Sequence, residues 1–339
     1  MDSFSRTSHP ELSFSEIMEH LVNGNLTEIL KTYSEVLKQL LYSELTANGN
    51  LILQVVILAL IGALFSGFAG IFGSGNVSET GFYVVYLLIM TFLAASFFAS
   101  IRIATDVTKE LLGFMQVLLP AYFLAVAAAG GALTSASICG FTIGAIGVVQ
   151  SMLSELLLPL MRIFMMMVMA GNLWKEDMIS KLTELLGNLI LWTMKTMFGV
   201  IVGFHMIQGM ILPQADALKN ASAIRIAQAI PGVGGGLGTV SQIVMGSGIL
   251  IKNTAGAAAV VVLLVLAAIP IMKLCLLMVL YYIAAAVMQP VCDKRLVSCM
   301  AGAAAGHGLL LKLVCYSLTL FVLTIAIICV STNAVWYAG

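Results

Sequence analysis

Charged side chains are scarce in this sequence. Of its 339 residues only 9% are Asp, Glu, Lys or Arg, whereas 60% are hydrophobic. Soluble domains carry about 25% charged residues, so this composition excludes a water-soluble globular protein. The net charge is zero, and no basic tract or interleaving of basic and aromatic residues indicates a nucleic-acid partner. The composition predicts a membrane protein whose main partner is the lipid bilayer.

The sequence also lacks the motifs that bind metals, nucleotides or other cofactors. There is no G-x-x-x-x-G-K-[ST], no H-E-x-x-H and no G-x-G-x-x-G. The cysteines form no C-x-x-C and lie in or beside apolar segments, as small buried side chains do: Cys139, Cys275, Cys292, Cys299, Cys315 and Cys329. We expect no cofactor, no metal and no catalytic residue.

The residues suggest one enzyme class, the intramembrane serine proteases. Ser247 lies in Gly246-Ser247-Gly248 and His307 lies in a second glycine-containing apolar segment. The G-x-S-G arrangement is absent, however, and no oxyanion-hole donor can be named. We interpret His307 as a histidine of a loop or helix start, and the chain as a protein that is not an enzyme.

Residues 1–50 differ from the rest of the chain because they are acidic and only moderately apolar. Ser13 with Glu16, and Asn25 with Glu28, are helix-start signals. They predict amphipathic helices over 12–22 and 26–46, and no cleavable signal peptide is expected at Met1. This N-terminal region is either a helical cap on the membrane domain or a domain that binds a partner.

Long apolar runs fill the predicted transmembrane domain, 51–335. A helix that crosses a bilayer needs about 20 apolar residues, and the candidate runs are 51–73, 83–104, 112–135, 138–170, 188–212, 255–290 and 308–331. Pro159 and Pro270 interrupt the two longest runs, so each is one kinked helix or two shorter pieces. The fold class is therefore an all-α polytopic transmembrane bundle with six to eight spans. The basic residues fix no orientation, although the acidic N-terminus favours the non-cytoplasmic side.

The apolar part also contains an internal repeat, with halves at roughly 112–212 and 213–331. AVAAAGGALTSAS (125–137) matches AIPGVGGGLGTVS (229–241), and LPLMRIFMMMVM (158–169) matches IPIMKLCLLMVL (269–280). In the second match Lys273 stands where the first half has Arg162. The repeats are inverted if each half has an odd number of spans and parallel if the number is even.

Glycine and proline concentrate at corresponding places in the two halves. Such backbone is tolerated at membrane depth only where protein buries it or where it lines a polar cavity. We therefore predict broken, re-entrant helices that line a pathway, formed by Gly130, Gly131, Ser137, Pro231, Gly232, Gly234, Gly235, Gly236, Gly238 and Ser241.

Arg162 and Lys273 are the candidate polar pair of this pathway, because charged groups inside spans are costly and usually face protein or water. The alternative is that both are long side chains that reach to the membrane interface.

Three segments resemble stage III sporulation protein AE of endospore-forming Firmicutes: TMKTMFGVIVGFHMIQGMILPQADALK (193–219), AQAIPGVGGGLGTVSQIVMGSGILIKNTAG (227–256) and MQPVCDKRLVSCM (288–300). The resemblance covers roughly 80–330. Members of that family tend to carry a longer N-terminal region with a signal-like segment. The resemblance supplies no catalytic residues.

The resemblance implies a place in the channel, or feeding tube, between mother cell and forespore. It implies location in the mother-cell-derived membrane around the forespore. The implied partners are the other stage III A operon proteins, namely an ATPase, ring-forming and membrane components, together with the forespore protein Q apparatus. We expect a permease-like or channel-forming component; the alternatives are a membrane scaffold without its own pore and an independent secondary transporter.

Overall fold

The computed structural model describes residues 26–71, 75–128, 132–173, 179–228 and 234–337. All elements in these ranges are helical, so the chain is an all-α membrane bundle as predicted. The contacts divide the chain into two units, Met1–Asn50 and Leu51–Gly339. The predicted helix 26–46 lies within the first helix, whereas the predicted helix 12–22 lies outside the described residues.

Seven α-helices and one π-helical turn follow in order within the described ranges, and several of the helices are far longer than one membrane crossing requires. They are α1 (Leu26–Ile71), α2 (Gly75–Ala128), α3 (Ala132–Ser151), a π-helical turn (Met152–Leu157) continuing into α4 (Leu158–Gly171), α5 (Ser180–Gln228), α6 (Gly234–Met288) and α7 (Lys294–Tyr337). At 1.5 Å per residue the 54 residues of α2 rise about 80 Å, more than twice the ~30 Å hydrocarbon thickness.

Proline explains the irregular turn between α3 and α4. Pro159 has no N–H, and its ring crowds the carbonyl of Glu155 four residues earlier. The hydrogen-bond ladder changes to the π pattern over Met152–Leu157, immediately before that proline. The run 138–170 is thus one helical path with a local defect, and Pro270 lies inside the continuous helix α6.

The described residues contain five helices that are long and apolar enough to span a membrane, rather than six to eight: Glu79–Ala127, Ala136–Gly171, Ser180–Ile211, Gly246–Met288 and Lys294–Val330. The separate spans predicted at 83–104 and 112–135 merge, because α2 continues through the charged residues between them. The run predicted at 51–73 supplies only a shorter apolar stretch, Ile52–Leu64.

Helix α7 is the centre of the bundle. It packs against α2, α4, α5 and α6, and Leu310, Val314 and Phe321 on it are almost completely buried. Large side chains from the neighbouring helices complete this interior, among them Tyr86, Phe97, Leu111, Met115 and Leu153. The described interior is therefore closely packed with apolar groups.

The predicted re-entrant segments lie only partly within the described residues. Gly130, Gly131, Pro231 and Gly232 lie outside them. Ser137 is exposed on α3, and the remaining residues of the set lie in the first turns of α6: Gly234, Gly235, Gly236, Gly238 and Ser241. The pathway role of these residues and the internal duplication both stay predictions.

Candidate functional site

The two cations predicted to form a polar pair differ in exposure. Arg162 on α4 is exposed, and it lies between the exposed apolar Ile163 and the buried Met161. Lys273 on α6 is half-buried. Their joint role in a path stays a prediction.

Three helix ends meet at Arg295, near the start of α7. Its Nη1 donates a hydrogen bond to the carbonyl of Leu173 (3.3 Å), just beyond the end of α4. Its guanidinium lies 3.5 Å from the ring centre of Phe82, in the second turn of α2. Asp293 fixes the arginine through an ion pair of 3.2 Å and also accepts the Arg295 backbone N–H. This tripod (Phe82, Leu173, Asp293 and Arg295) joins α2, α4 and α7 at one end of the bundle.

The same end contains a cavity of about 310 Å³ between α4, α5 and α7. Its apolar walls include Phe164, Met167 and Val168, and its polar rim includes Asn172 and Glu184. The Asn172 side-chain amide already donates to the Val168 carbonyl (2.7 Å), and Glu184 pairs with Lys181 (3.3 Å). The polar rim is thus largely used by internal contacts.

A buried histidine links α2, α6 and α7. His307 is fully buried, and its Nδ1 lies 2.8 Å from the Ala303 carbonyl, so Nδ1 carries the proton. The imidazole stacks on Tyr281 (4.9 Å between ring centres) and meets the edge of Phe97 (5.5 Å). Its Nε2 has no hydrogen-bond partner within the described part of the chain. His307 is an interior residue of a helix, not the loop or helix-start histidine that the sequence suggested.

The serine-protease arrangement is excluded by distance. His307 stacks on Tyr281, and Ser247 precedes Tyr281 by 34 residues on the same helix α6. At 1.5 Å per residue this separation is about 50 Å along the helix, so the two side chains cannot cooperate in a reaction.

Lys252 is the buried cation that the sequence reasoning missed. Its exposed fraction is 0%, and among the described residues no other charged side chain belongs to the buried class. The next residue, Asn253, accepts a hydrogen bond from the Cys329 thiol of α7 (3.1 Å). Tyr122 of α2 approaches the same place, since a Cβ on Gly256 would lie 3.3 Å from its hydroxyl. The available signal was a lysine within an apolar run, but the interpretation of that run rested on its glycines.

A second buried polar contact connects α3 with α5. Thr142 Oγ1 lies 3.2 Å from His205 Nε2, and both side chains are buried. The ring of Phe141 stacks on Phe204 at 4.4 Å between centres. Because His205 Nδ1 faces the Ile201 carbonyl at 2.9 Å, both ring nitrogens are satisfied. This contact therefore fixes helix register and leaves no free group for chemistry.

The described residues contain no cluster of three His, Cys, Asp or Glu side chains that could hold a metal.

Comparison with known families indicates the family of the chain. The family model described as stage III sporulation protein AE matches residues 12–332. The chain belongs to this family.

One curated member of the stage III sporulation protein AE family, from Bacillus subtilis (strain 168), is 22% identical over 292 residues, which cover 86% of this chain and 73% of that protein. No solved structure matches the chain. The family description names sporulation and no reaction, which gives the chain a role in sporulation as an integral membrane protein.

Proposed function

We propose that the chain is a permease-like component of the channel complex between mother cell and forespore, in the membrane around the forespore. Its partners would be the other stage III A operon proteins and the forespore protein Q apparatus. The family membership supports the setting. The solute path would lie where α4 meets another subunit, rather than through the packed interior of one chain.

The observation that carries this proposal is the exposed Arg162. It precedes Leu173 by 11 residues, so it lies about 16 Å from the tripod end of the bundle, near half the thickness of a hydrocarbon core. Next to it, Ile163 has an exposed fraction of 45%. A charged side chain at this depth costs about 3 kcal/mol or more when it faces lipid. A water-filled path or a partner subunit on this face removes that cost.

The decisive experiment compares Arg162→Leu, Arg162→Lys and Lys181→Leu in the native spore-former. We expect Arg162→Leu to stop forespore development although the protein remains in the membrane, and Arg162→Lys to retain part of the function. Lys181 is an exposed cation at the start of α5, and its replacement should have little effect. Normal sporulation with Arg162→Leu would refute the proposal.

A membrane scaffold without its own path is the second candidate, and the close apolar packing around α7 favours it. Dye flux into proteoliposomes separates the two functions. Flux that Gly234→Leu/Gly235→Leu abolishes identifies a conduit in its own right. Absence of flux in the correctly folded wild type leaves a scaffold or a pore that partners complete. Arrest of Arg162→Leu although the complex still assembles then favours the pore, whereas loss of assembly favours the scaffold.

A further inference from the structure

We propose that five charged residues, one from each candidate span, form a belt at a single level of the bundle that lies at a membrane interface and binds anionic phospholipid headgroups. The charged belt consists of Arg102, Glu155, Lys195, Lys273 and Lys312. Four of its members are exposed and Lys273 is half-buried. This inference does not depend on the proposed function.

Arg102 and Lys312 share a level because α2 and α7 run in the same direction. The rings of Phe97 and His307 touch, with 5.5 Å between their centres. Arg102 follows Phe97 by five residues, and Lys312 follows His307 by five residues. Equal helical rise therefore places both cations about 7 Å beyond that contact.

Lys195 of α5 joins the same level through a second aromatic contact. Phe198 and Tyr316 have ring centres 5.7 Å apart. Lys195 precedes Phe198 by three residues, and Lys312 precedes Tyr316 by four. The two lysines thus differ in level by about one residue, or ~1.5 Å.

Glu155 lies at the same level, although the helical segment that contains it runs antiparallel to α5. A Cβ on Gly187 of α5 would lie 3.2 Å from the Phe164 ring of α4. Glu155 precedes Phe164 by nine residues, and Lys195 follows Gly187 by eight. Because α4 and α5 are antiparallel neighbours, these steps lead to the same level.

Lys273 completes the charged belt. A Cβ on Gly308 of α7 would lie 3.2 Å from the sulfur of Met278 on α6. Lys273 precedes Met278 by five residues, and Lys312 follows Gly308 by four. The predicted partner of Lys273, Arg162, lies seven residues from Glu155, about 10 Å away from the charged belt along the bundle.

The distance from the charged belt to the tripod equals one hydrocarbon thickness. Arg102 follows Phe82 by 20 residues and Lys312 follows Arg295 by 17, which correspond to about 30 and 26 Å against a hydrocarbon core of ~30 Å. Five charges at one level are incompatible with hydrocarbon. A membrane boundary therefore falls at the charged belt.

The charge of the belt selects its ligand. Four cations and one carboxylate give the belt an excess of positive charge, which anionic headgroups neutralise. Each lysine or arginine contributes about 1 kcal/mol to this attraction, or roughly fivefold in binding. The exposed cations Arg102, Lys195 and Lys312 lie on three helices and the half-buried Lys273 on a fourth, so headgroup contacts are distributed around the bundle and not at one pocket.

Trp192 gives a direct test of depth, since it is 65% exposed and precedes Lys195 by three residues. Trp174→Phe/Trp336→Phe leaves it as the sole tryptophan. In liposomes of brominated phosphatidylcholine we expect the strongest quenching by bromines near the headgroup end of the acyl chains. A matched reporter, Phe92→Trp with all three native tryptophans replaced by phenylalanine, should be quenched most by bromines near the chain ends. Equal or deeper quenching of Trp192, or no quenching of Trp192 at any depth, would overturn the inference.

Lipid selectivity tests the ligand. In nanodiscs of mixed phosphatidylglycerol and phosphatidylcholine, Lys195→Gln/Lys312→Gln should lower the preference of the full chain for bound phosphatidylglycerol by about fivefold per lysine, and high salt should do the same to the wild type. Lys181→Gln/Lys294→Gln removes two exposed cations outside the charged belt and is the control. Because these two cations lie at the tripod end, their removal reports headgroup contacts at the other interface. An unchanged preference in Lys195→Gln/Lys312→Gln would overturn headgroup binding at the belt.

Discussion

Removing Arg295 should open one end of the bundle at a calculable cost. The arginine side chain is only 13% exposed and makes three contacts in the tripod. Its hydrogen bond to the Leu173 carbonyl, as one from a charged donor, contributes about 1.5–3 kcal/mol. The contact with the Phe82 ring adds about 0.5–2 kcal/mol. The ion pair with Asp293, whose side chain is 41% exposed, adds at most about 1 kcal/mol.

These contacts share one side chain, so we expect Arg295→Ala to lower the free energy of unfolding by about 3 kcal/mol. The measurement is reversible unfolding with sodium dodecyl sulfate in mixed micelles. Arg295→Lys should lose roughly half of that amount, because a lysine keeps the charge but not the planar contact with Phe82.

A double-mutant cycle with Phe82→Leu isolates the ring contact and should return a coupling of about 1 kcal/mol. If Arg295→Ala unfolds within about 0.5 kcal/mol of the wild type, the tripod does not hold the three helices together and the reasoning fails.

Three further results are expected. Gly302→Val should destabilise the bundle by roughly 2 kcal/mol or more, because a Cβ at Gly302 would overlap Val168 on α4; an unchanged unfolding midpoint would contradict this close approach. Burial, and secondly the charge of Asp293, raise the pKa of the Cys292 thiol. The rate of maleimide labelling of Cys292 should therefore be low at neutral pH. It should still increase with pH where the labelling rates of ordinary thiols have levelled off. Asp293→Asn should label faster, and no acceleration would remove the electrostatic cause. A strain with Ser247→Ala should sporulate normally. Arrest of sporulation would contradict this and would support a catalytic role for Ser247.

Sequence patterns predicted what depends on local chemistry and left open what depends on distant contacts. Continuous apolar runs indicated membrane helices, and Pro159 marked the irregular turn between α3 and α4, whereas α6 continues through Pro270. The described residues contain five helices that are long enough to span a membrane, fewer than the six to eight predicted spans, because α2 continues through the four charged residues between Ile101 and Leu111. Helical propensity, and the packing of α2 on both sides of these charged residues, outweigh their tendency to form a polar turn.

The contacts of individual charged residues were beyond sequence reasoning. Arg295 lies in the segment 288–300 that carries the family resemblance, but its contact with Leu173, 122 residues earlier, follows only from the packing of three helices. Lys252 was passed over because it lies in a glycine-containing apolar stretch, and its complete burial follows only from the packing of the bundle. Exposure of Arg162 is likewise a property of the bundle and not of its own helix.

The central position of α7 has a consequence for how the protein is made. Helices α2 to α6 leave the ribosome before α7, yet each of α2, α4, α5 and α6 packs against it. The tripod likewise joins Arg295 to Phe82, which is synthesised 213 residues earlier. The early helices pack on one another before α7 arrives, as α2 does on α3 and α6, but the tripod and the centre of the bundle form only with the last helix.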